Sequence, residues 1–247
     1  MAKRNSFTLP EAILNQAPIP ALEPVTLQAE PRPLEVDRRR MAAVIIDMQN
    51  AFVSKGGMFD LWGVDVSKGQ NAIGAIKRVA DTAREHGIQI IYIAHQHDSN
   101  LYETGGPNSP NWYERSWATY REHPEHRNAL LVSGTWGADI VDELKPQAQD
   151  IFIKKLRYSA FFATTLDVVL KTLNMRYLIF MGVATNICVE ASIRDAFYLD
   201  YWPILVSDAS GHLGPAYTQE ATIFNVKTCY GYVTDTESVI KVMRGGK

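Results

Sequence analysis

The sequence contains few cysteines and no long apolar run. Cys188 and Cys229 are the only cysteines among its 247 residues, so a disulfide framework is excluded and a reducing cytoplasm is the simplest compartment. No apolar segment approaches the roughly 20 residues that a membrane-spanning helix needs. Lys3 and Arg4 precede no continuous apolar segment, so we do not expect a secretory signal. We therefore expect a cytoplasmic protein with no membrane partner.

A strong charge bias and a phosphate-binding motif are also missing. The chain carries 25 lysines and arginines against 27 acidic residues, which gives a formal net charge of -2 at pH 7. The only basic cluster is Arg38-Arg39-Arg40, which we interpret as a solvated edge, so no nucleic-acid partner is expected. No glycine-rich phosphate loop follows the first strand of the main domain, so nucleotide binding is not indicated.

Proline is concentrated near the N-terminus. Six of the 12 prolines lie within residues 1–40. This composition predicts an N-terminal arm, extended apart from a short helix near Pro10 to Gln16, that wraps its own domain or a neighbouring subunit. The remaining residues, 41–247, are predicted to form one folded domain.

Strands and helices alternate within residues 41–247. The apolar run from Met41 to Met48, broken only by Asp47, is typical of a strand that is covered on both faces. Further strands are predicted at 88–94, 151–154, 178–181, 204–207 and 232–234, and helices at 67–86, 138–144, 165–173, from about 186, at 217–227 and at 237–243. This alternation predicts an α/β fold, a single-domain Rossmann-like three-layer αβα sandwich with a mainly parallel six-stranded sheet. The long connection over 95–137 is expected to be functional.

Cys188 follows one of the buried strands and a short turn. Thr185 and Asn186 are good N-cap residues, which places Cys188 in the first turn of a helix. The helix dipole and the unpaired N–H groups there favour an anion, so we expect a lowered thiol pKa and a partly ionised cysteine. The same N–H groups would hold an oxyanion. The alternative is that Cys188 is a small buried hydrophobe.

Two charged residues mark the ends of other strands. Asp47 closes the first strand, and Lys155 follows the strand at 151–154. Ligands of parallel sheets bind beyond the carboxyl ends of the strands, so both residues are expected near Cys188. A carboxylate can act as the general base for a thiol, and a lysine can hold negative charge in place. The alternatives are a turn residue for Asp47 and a solvated side chain for Lys155.

Three ordered motifs resemble the isochorismatase-like cysteine hydrolase family over about residues 41–239. They are DMQN at 47–50 with Phe52, KLRYSAF at 155–161, and GVATNICV at 182–189. The resemblance implies a catalytic triad of Asp47, Lys155 and Cys188. It also implies a cis peptide before Ala184 and an oxyanion hole formed by the backbone N–H groups of Ala184 and Cys188. It implies no cofactor, and it implies a homo-oligomer, either a dimer or a tetramer.

Within that family the sequence is most similar to the ureidoacrylate amidohydrolases. The similar segments are GGPNSPN at 105–111, KLRYSAFF at 155–162 and ATNICVE at 184–190. This similarity implies that Glu103 accepts hydrogen bonds from a ureido N–H and that Tyr158 lines the pocket. We also assign Phe52 to substrate binding.

The chain departs from those enzymes after the second strand. They carry an asparagine and a tryptophan where this sequence has His95 and His97, and we expect both histidines to line the pocket together with His212. The alternative is that one of the two only forms a hydrogen bond to the loop. A His-x-His pair on a strand faces one way, but no third ligand is in view, so no metal is predicted. His123 and His126 are interpreted as solvated loop residues.

The predicted function is therefore cysteine-dependent cleavage of a C–N bond in a small linear ureido or amide substrate through a thioester. Biuret, an N-carbamoyl amino acid, and an aryl or indole amide are alternative substrates. A vinyl-ether hydrolase is a further alternative, against which Cys188 argues. A non-catalytic ligand-binding or redox-sensing protein is the last, against which the presence of both Asp47 and Lys155 argues.

Overall fold

A computed structural model describes residues 23–246, and this part of the chain begins with a β-hairpin. Strand β1 (Pro24–Leu27) pairs antiparallel with β2 (Leu34–Asp37). Alternate residues of the hairpin point inward, so that Leu27 and Val36 are fully buried in the hydrophobic core of the main domain. The hairpin is therefore packed as part of that domain.

The connection between the two hairpin strands is attached to the far edge of the main sheet. Glu30 and Val233 exchange two backbone hydrogen bonds of 2.8 and 3.0 Å. The boundary between an arm and a domain at residue 40 stays a prediction, although residues 23–40 are tied to the domain at both ends of the hairpin. The helix expected near residues 10–16 lies outside the described residues.

A six-stranded parallel sheet forms the centre of the fold, with strand order β5-β4-β3-β6-β7-β8. Its members are β3 (Met41–Ile46), β4 (Gln89–His95), β5 (Ile151–Lys155), β6 (Tyr177–Val183), β7 (Trp202–Gly211) and β8 (Tyr232–Thr234). The strand order reverses beside β3, because the chain first builds the sheet outward through β4 and β5 and then returns to place β6 on the other side. Ligands bind at such a switch point in doubly wound sheets.

Helices cover both faces of this sheet. They are α1 (Asn50–Val53), α2 (Met58–Leu61), α3 (Ser67–Glu85), α4 (Arg115–Glu122), α5 (Leu166–Thr172), α6 (Glu190–Tyr198), α7 (Ala216–Asn225) and α8 (Thr236–Met243). Helices α3 and α8 pack with the hairpin on one face, and α5 and α6 pack on the other. Among residues 23–246, no helix combines the length and the apolar character that crossing a membrane requires.

The central strand β3 is apolar throughout because helices cover both of its faces. All six of its residues are buried. Ala43 and Ile45 contribute to the core under α3 and α8, and Val44 and Ile46 contribute to the core under α5 and α6. Because successive side chains of a strand point to opposite faces, a strand between two helical layers cannot alternate with polar residues. The predicted three-layer αβα sandwich with a six-stranded parallel sheet is confirmed.

One predicted helix is wrong. The segment at 138–144 contains two short 3-10 turns, Trp136–Ala138 and Asp142–Leu144, in place of a continuous helix. The residues between the turns are extended because they pair with the chain that follows β3, where Asn50 N donates to Asp139 O and Val141 N donates to Met48 O. Pairing with a neighbouring segment has overridden the local helix pattern.

The long connection between β4 and β5 forms a roof beside the ends of the strands. It contains α4 and several 3-10 turns, and it has a small hydrophobic core of its own. Trp117 of α4 is fully buried in this core, where it packs beside Met58 of α2 and Leu131. The segment is thus a packed layer that closes over the switch point of the sheet.

We predict that the hairpin contributes to the stability of the whole domain. Replacing Leu27 by alanine removes a fully buried side chain, so the free energy of unfolding should fall by about 2–5 kcal/mol in urea titrations followed by circular dichroism. Thr26→Ala, at the neighbouring exposed position, is the matched control and should change it by less than about 0.5 kcal/mol. Equal, small effects of both changes would show that the hairpin is a detachable arm.

Candidate active site

Asp47, Lys155 and Cys188 meet at the carboxyl ends of three strands. Nζ of Lys155 lies 2.8 Å from Oδ2 of Asp47 and 3.5 Å from Sγ of Cys188. The lysine also donates a hydrogen bond of 3.1 Å to the carbonyl oxygen of Arg157. Asp47 and Lys155 have at most 1% of their side-chain surface exposed. The structure therefore brings together the three residues that the sequence predicts as a triad, in a place that is nearly dry.

The backbone at Asp47 turns sharply as β3 ends. Its φ of 53° lies in the left-handed region, which non-glycine residues seldom adopt. The conformation is held because Asp47 N donates to Ile93 O at 2.9 Å, and Oδ1 accepts a hydrogen bond of 3.0 Å from His95 N. These contacts tie the carboxylate to β4 and aim its second oxygen at Lys155.

Gln49 supports the same corner and was given no role from the sequence. Its Oε1 accepts a hydrogen bond of 2.9 Å from His95 N, and its Nε2 donates to His95 O at 3.0 Å and to Ala138 O at 2.8 Å. The side chain is fully buried. A glutamine inside an apolar corner two residues after Asp47 is the signal that would have identified it, because a buried amide must find partners.

The turn before Cys188 requires a glycine and contains a cis peptide. Gly182 has a φ of 117°, and a Cβ there would lie 2.0 Å from the carbonyl oxygen of Ile46 in the adjacent strand. The peptide between Val183 and Ala184 is cis. Cys188 lies in the π-helical turn Thr185–Val189 that leads into α6.

The expected N-caps of this helix are wrong. Ala184 occupies the N-cap position, and no side chain caps the turn. Asn186 turns away to exchange two hydrogen bonds with the backbone of Leu213, at 2.9 and 3.1 Å. Thr185 is fully buried, and its hydroxyl has no hydrogen-bond partner. The turn is therefore held by its own backbone and by the segment after β7.

The expectation of a lowered pKa for Cys188 is also wrong. Burial raises the pKa of the thiol, and the nearby charge of Asp47 raises it further, while Lys155 lowers it only in part. Burial likewise raises the pKa of Asp47 against the opposing effect of Lys155. Burial opposes the charge of Lys155, but the pKa of Lys155 is raised overall because Asp47 and Cys188 stabilise its cationic form. The resting site thus pairs a neutral thiol with a carboxylate that is well suited to accept its proton.

A cavity of about 210 Å³ opens above these residues. It is lined by residues that the sequence assigns to the site, namely Asp47, Phe52, His95, Tyr158, Ala184 and Cys188. It is also lined by residues that the sequence analysis missed, among them Met58, Phe59, Trp62, Glu114, Arg115 and Leu213. The apolar walls come mostly from α1 and α2, and the added charges come from the start of α4.

Three residues that the sequence assigns to substrate binding do not line this cavity. His97 is fully buried behind His95. Glu103 points to the surface side of the roof, where it forms an ion pair of 3.2 Å with Lys154 and accepts a hydrogen bond from Asp98 N. His212 lines a separate small cavity beyond Phe52. Direct contact of these three residues with a substrate stays a prediction, and none of the three lines the cavity above the thiol.

Glu114 and Tyr158 form a polar pair in the cavity wall. Burial together with the neighbouring carboxylate of Glu114 raises the pKa of Tyr158 to about 12. Burial also raises the pKa of Glu114. Both side chains line the cavity, so the pair offers a hydroxyl and an acid group to a bound molecule.

Arg115 stands at the mouth of the cavity. Its guanidinium lies 4.7 Å from the centre of the Trp62 ring, and it donates a hydrogen bond of 3.4 Å to the carbonyl oxygen of Trp62. Among residues 23–246, no carboxylate forms an ion pair with it. The cation is therefore positioned by an aromatic ring and available to an anionic ligand.

His123 and His126 lie near the surface. With Glu125 they form a group whose ligand atoms are within 4.8 Å of one another, in which His123 and Glu125 are exposed and His126 is half-buried. The structure thus places both histidines on a surface loop, as predicted. Cys229 is exposed as well, in the π turn Val226–Tyr230.

A protein-family model matches most of the chain. The model of the Isochorismatase domain matches residues 41–238. The chain belongs to the isochorismatase family. The resemblance that the sequence motifs indicate is thereby confirmed.

Several similar sequences carry the name ureidoacrylate amidohydrolase RutB. The protein of Agrobacterium fabrum is 46% identical over 210 residues, which cover 85% of this chain and 92% of that protein. The protein of Rhizobium rhizogenes is 45% identical over 219 residues, which cover 88% of this chain and 89% of that protein. The similarity therefore extends over nearly the whole length of both relatives.

Solved structures of the family share the fold. A cysteine hydrolase from Pseudomonas syringae pv. phaseolicola has a TM-score of 0.73 at 25% identity, covering 86% of this chain and 96% of that chain. An isochorismatase family protein from Desulfovibrio vulgaris has a TM-score of 0.70 at 26% identity, covering 83% of this chain and 99% of that chain. The overall fold is thus common to proteins of low sequence identity.

The electrostatics of the site predict slow alkylation of Cys188. At pH 7 iodoacetamide should modify exposed Cys229 first and Cys188 at least about tenfold more slowly, because a raised pKa keeps the thiol protonated. The rate at Cys188 should rise with pH, since thiolate forms only as the pH approaches that pKa. Peptide mass spectrometry separates the two sites, and Cys229→Ser serves as the control. Faster labelling of Cys188 than of Cys229 at pH 7 would indicate a resting thiolate.

Proposed function

We propose that this chain is a cysteine-dependent amidohydrolase that cleaves a C–N bond of a small linear ureido substrate of the ureidoacrylate class. The observation that carries the proposal is the buried arrangement of Asp47, Lys155 and Cys188 at the floor of a cavity, at the switch point of the sheet. The identity of 42–46% to ureidoacrylate amidohydrolases over most of the chain supports the choice of substrate class.

The reaction begins with transfer of the thiol proton to Asp47. Sγ of Cys188 then attacks the ureido carbonyl carbon, and the electron pair of the C=O bond moves to oxygen. The backbone N–H groups of Ala184 and Cys188 are the proposed donors to that oxyanion, since both residues line the cavity beside the thiol. Lys155 keeps Asp47 oriented and offsets negative charge throughout.

Collapse of the tetrahedral intermediate breaks the C–N bond. The electron pair goes to the leaving nitrogen, which takes the proton held by Asp47, and the carbonyl carbon remains bound to Cys188 as a thioester. Asp47, again a carboxylate, removes a proton from water, and the resulting hydroxide attacks the thioester carbon. The second tetrahedral intermediate then breaks its C–S bond, and the departing thiolate takes back the proton held by Asp47. The products are an amine, a carbamate and the free thiol, so the reaction requires no oxidant, reductant or cofactor.

Arg115 supports a substrate that carries a carboxylate. A ureidoacrylate has a ureido group at one end and a carboxylate at the other. Cys188 lies at the floor of the cavity and Arg115 at its mouth, so a molecule whose ureido group reaches the thiol would place its acid group near the guanidinium. A guanidinium binds a carboxylate through charge-assisted hydrogen bonds.

A second candidate function is hydrolysis of an aryl amide by the same residues. The observation that favours it is the aromatic wall of the cavity, where the rings of Phe52 and Phe59 lie 4.9 Å apart and Phe59 packs 5.8 Å from Trp62. Such a wall suits a flat apolar group. The two candidates differ in what Arg115 contributes, because a neutral aryl amide has no partner for it.

We further propose that the chain works as a homo-oligomer in the cytoplasm. Both cysteines are free thiols, which suits a reducing compartment. Phe197, Tyr198 and Tyr230 form an edge-to-face group of rings, and Phe197 and Tyr198 are exposed on the surface. Clustered exposed aromatic rings are typical of surfaces that a second subunit covers.

The proposed reaction predicts that the nucleophile is indispensable. Wild type should release ammonia from ureidoacrylate, since the carbamate product decomposes, and Cys188→Ala should lower kcat by at least about 10³-fold. Cys229→Ala, at the exposed cysteine, is the matched control and should retain wild-type kcat. The assay panel includes biuret, an N-carbamoyl amino acid and an aryl primary amide. Undiminished turnover by Cys188→Ala would rule out the covalent mechanism.

The proposed carboxylate contact predicts a selective loss in binding. Arg115→Gln should raise KM for ureidoacrylate about tenfold, because it removes a charge-assisted hydrogen bond, and should leave kcat nearly unchanged. KM for the neutral methyl ester of the same substrate should not change. Arg121 lies in the same helix as Arg115, and its guanidinium stacks on the ring of Trp112. Arg121→Gln therefore also removes a stacked cation, and it serves as the matched control. An equal rise in KM for acid and ester would exclude a role of Arg115 in recognising the acid group.

A further inference from the structure

Two histidines connect the cavity with a carboxylate near the surface. His95, the last residue of β4, lines the cavity beside Asp47, and His97 lies behind it with no exposed side-chain surface. The two Nε2 atoms are 3.3 Å apart. Nδ1 of His97 lies 3.7 Å from Oε2 of Glu103. The two rings and the carboxylate thus form a line that leads outward from the reacting groups.

Both rings are neutral near pH 7. Burial lowers the pKa of His97 to about 4, and the nearby charge of Glu103 offsets this only in part. Burial, together with the positive charge of Lys155, lowers the pKa of His95 well below its usual range. Each ring therefore carries a single proton, on either Nδ1 or Nε2. The chemistry that the pair offers depends on which nitrogen holds that proton.

The contact between the rings allows two arrangements. At 3.3 Å, one Nε2 must donate and the other must accept, because two protons or two lone pairs would repel each other. If His95 donates, the proton of His97 is on Nδ1 and faces Glu103, and Nδ1 of His95 carries a lone pair. If His97 donates, its Nδ1 presents a lone pair to the carboxylate, and Nδ1 of His95 carries a proton.

Glu103 favours the first arrangement. Nδ1 of His97 is buried and has no hydrogen-bond partner, so the charge 3.7 Å away decides its state. A carboxylate at that distance stabilises an N–H dipole that points to it and destabilises a lone pair. Lys154 pairs with Asp98 at 2.7 Å as well as with Glu103 at 3.2 Å, so its charge is shared between two carboxylates. Of the charges that act on His97, that of Glu103 is the strongest, ahead of those of Arg157, Lys154 and Lys155.

We propose that Nδ1 of His95 accepts a hydrogen bond from the N–H of the scissile ureido nitrogen, and that Glu103, acting through His97, fixes the tautomer of His95 that makes this possible. The inference rests on the proposed function. It assigns His95 to substrate recognition and makes His97 and Glu103 positioning residues. Glu103 then acts on the ureido group without touching it.

The position of His95 places this acceptor on the side of the leaving group. The backbone N–H of His95 is hydrogen-bonded to Asp47, the group that must give its proton to the leaving nitrogen. A nitrogen whose N–H is held by Nδ1 of His95 has its lone pair directed away from that ring, which leaves the lone pair free to take the proton of Asp47. Once Asp47 has taken the thiol proton, Asp47, Lys155 and the backbone N–H groups of Ala184 and Cys188 are all donors, so His95 supplies the acceptor that these groups lack.

The first measurement is the tautomer itself, in the absence of substrate. Long-range ¹H–¹⁵N correlation spectra of the ¹⁵N-labelled full-length protein report which ring nitrogen is protonated, with His95→Asn and His97→Asn used for assignment. We expect a proton on Nε2 of His95 in wild type and its redistribution toward Nδ1 in Glu103→Leu. Lys154→Leu removes the other charge of the same ion pair and should leave the tautomer as in wild type. A proton on Nδ1 in wild type, or no change in Glu103→Leu, would overturn the inference.

The second measurement is selectivity between nitrogen and oxygen leaving groups. For ureidoacrylate, Glu103→Leu should lower kcat/KM about tenfold or more, because the scissile N–H loses its acceptor. For the carbamate ester in which oxygen replaces that N–H, the change should stay below about twofold. Lys154→Leu should alter neither value. An equal loss for both substrates would indicate a merely structural role and overturn the inference.

The two measurements separate this inference from the proposed function. If wild type turned over no ureido compound, the proposed function would fail on that result alone. The tautomer of His95 and its response to Glu103→Leu, read without substrate, would still support or overturn the control by Glu103. Thermal unfolding midpoints of both variants within a few degrees of wild type establish that each remains folded.

Discussion

The ion pair between Asp47 and Lys155 is the contact on which the rest of the site depends. Each charge alone would be strongly unfavourable in so dry a place, and removing one partner of such a pair costs about 3–5 kcal/mol. The pair spans β3 and β5 across β4, so it locks three strand ends together. Gln49 and the backbone of His95 complete that lock. The thiol of Cys188 therefore lies against strand ends whose positions are fixed by these contacts.

The sequence was sufficient to predict the fold and the three residues at its centre. Charged or reactive residues at the ends of apolar strands stand out, and the rule that parallel strands converge at a switch point brings Asp47, Lys155 and Cys188 together. Glu114 and Arg115 were not identified from the sequence because they lie in the connection between β4 and β5, which has no regular hydrophobic pattern. The position of this connection over the cavity depends on its own small hydrophobic core. Nothing in the local sequence tells which turns of such a connection face inward.

The incorrect predictions share one cause. Each relied on a local sequence feature at a place where contacts with distant segments determine the structure or the pKa. The helix start near Cys188 predicts a lowered pKa, but burial and the neighbouring carboxylate outweigh the helix dipole. Glu103, whose contact with a substrate stays a prediction, is bound by Lys154 and by the loop backbone. The predicted helix at 138–144 gave way to pairing with the chain after β3. Each error lies where a distant segment supplies the dominant partner.

The protonated state of Cys188 has a consequence for the survival of the protein under oxidative conditions. Peroxides attack thiolates far more readily than thiols, and oxidation past the sulfenic acid is irreversible. A nucleophile that ionises only when a substrate draws its proton toward Asp47 offers such oxidants little to react with between turnovers. The neutral resting thiol therefore protects the one sulfur atom that the proposed chemistry cannot lose.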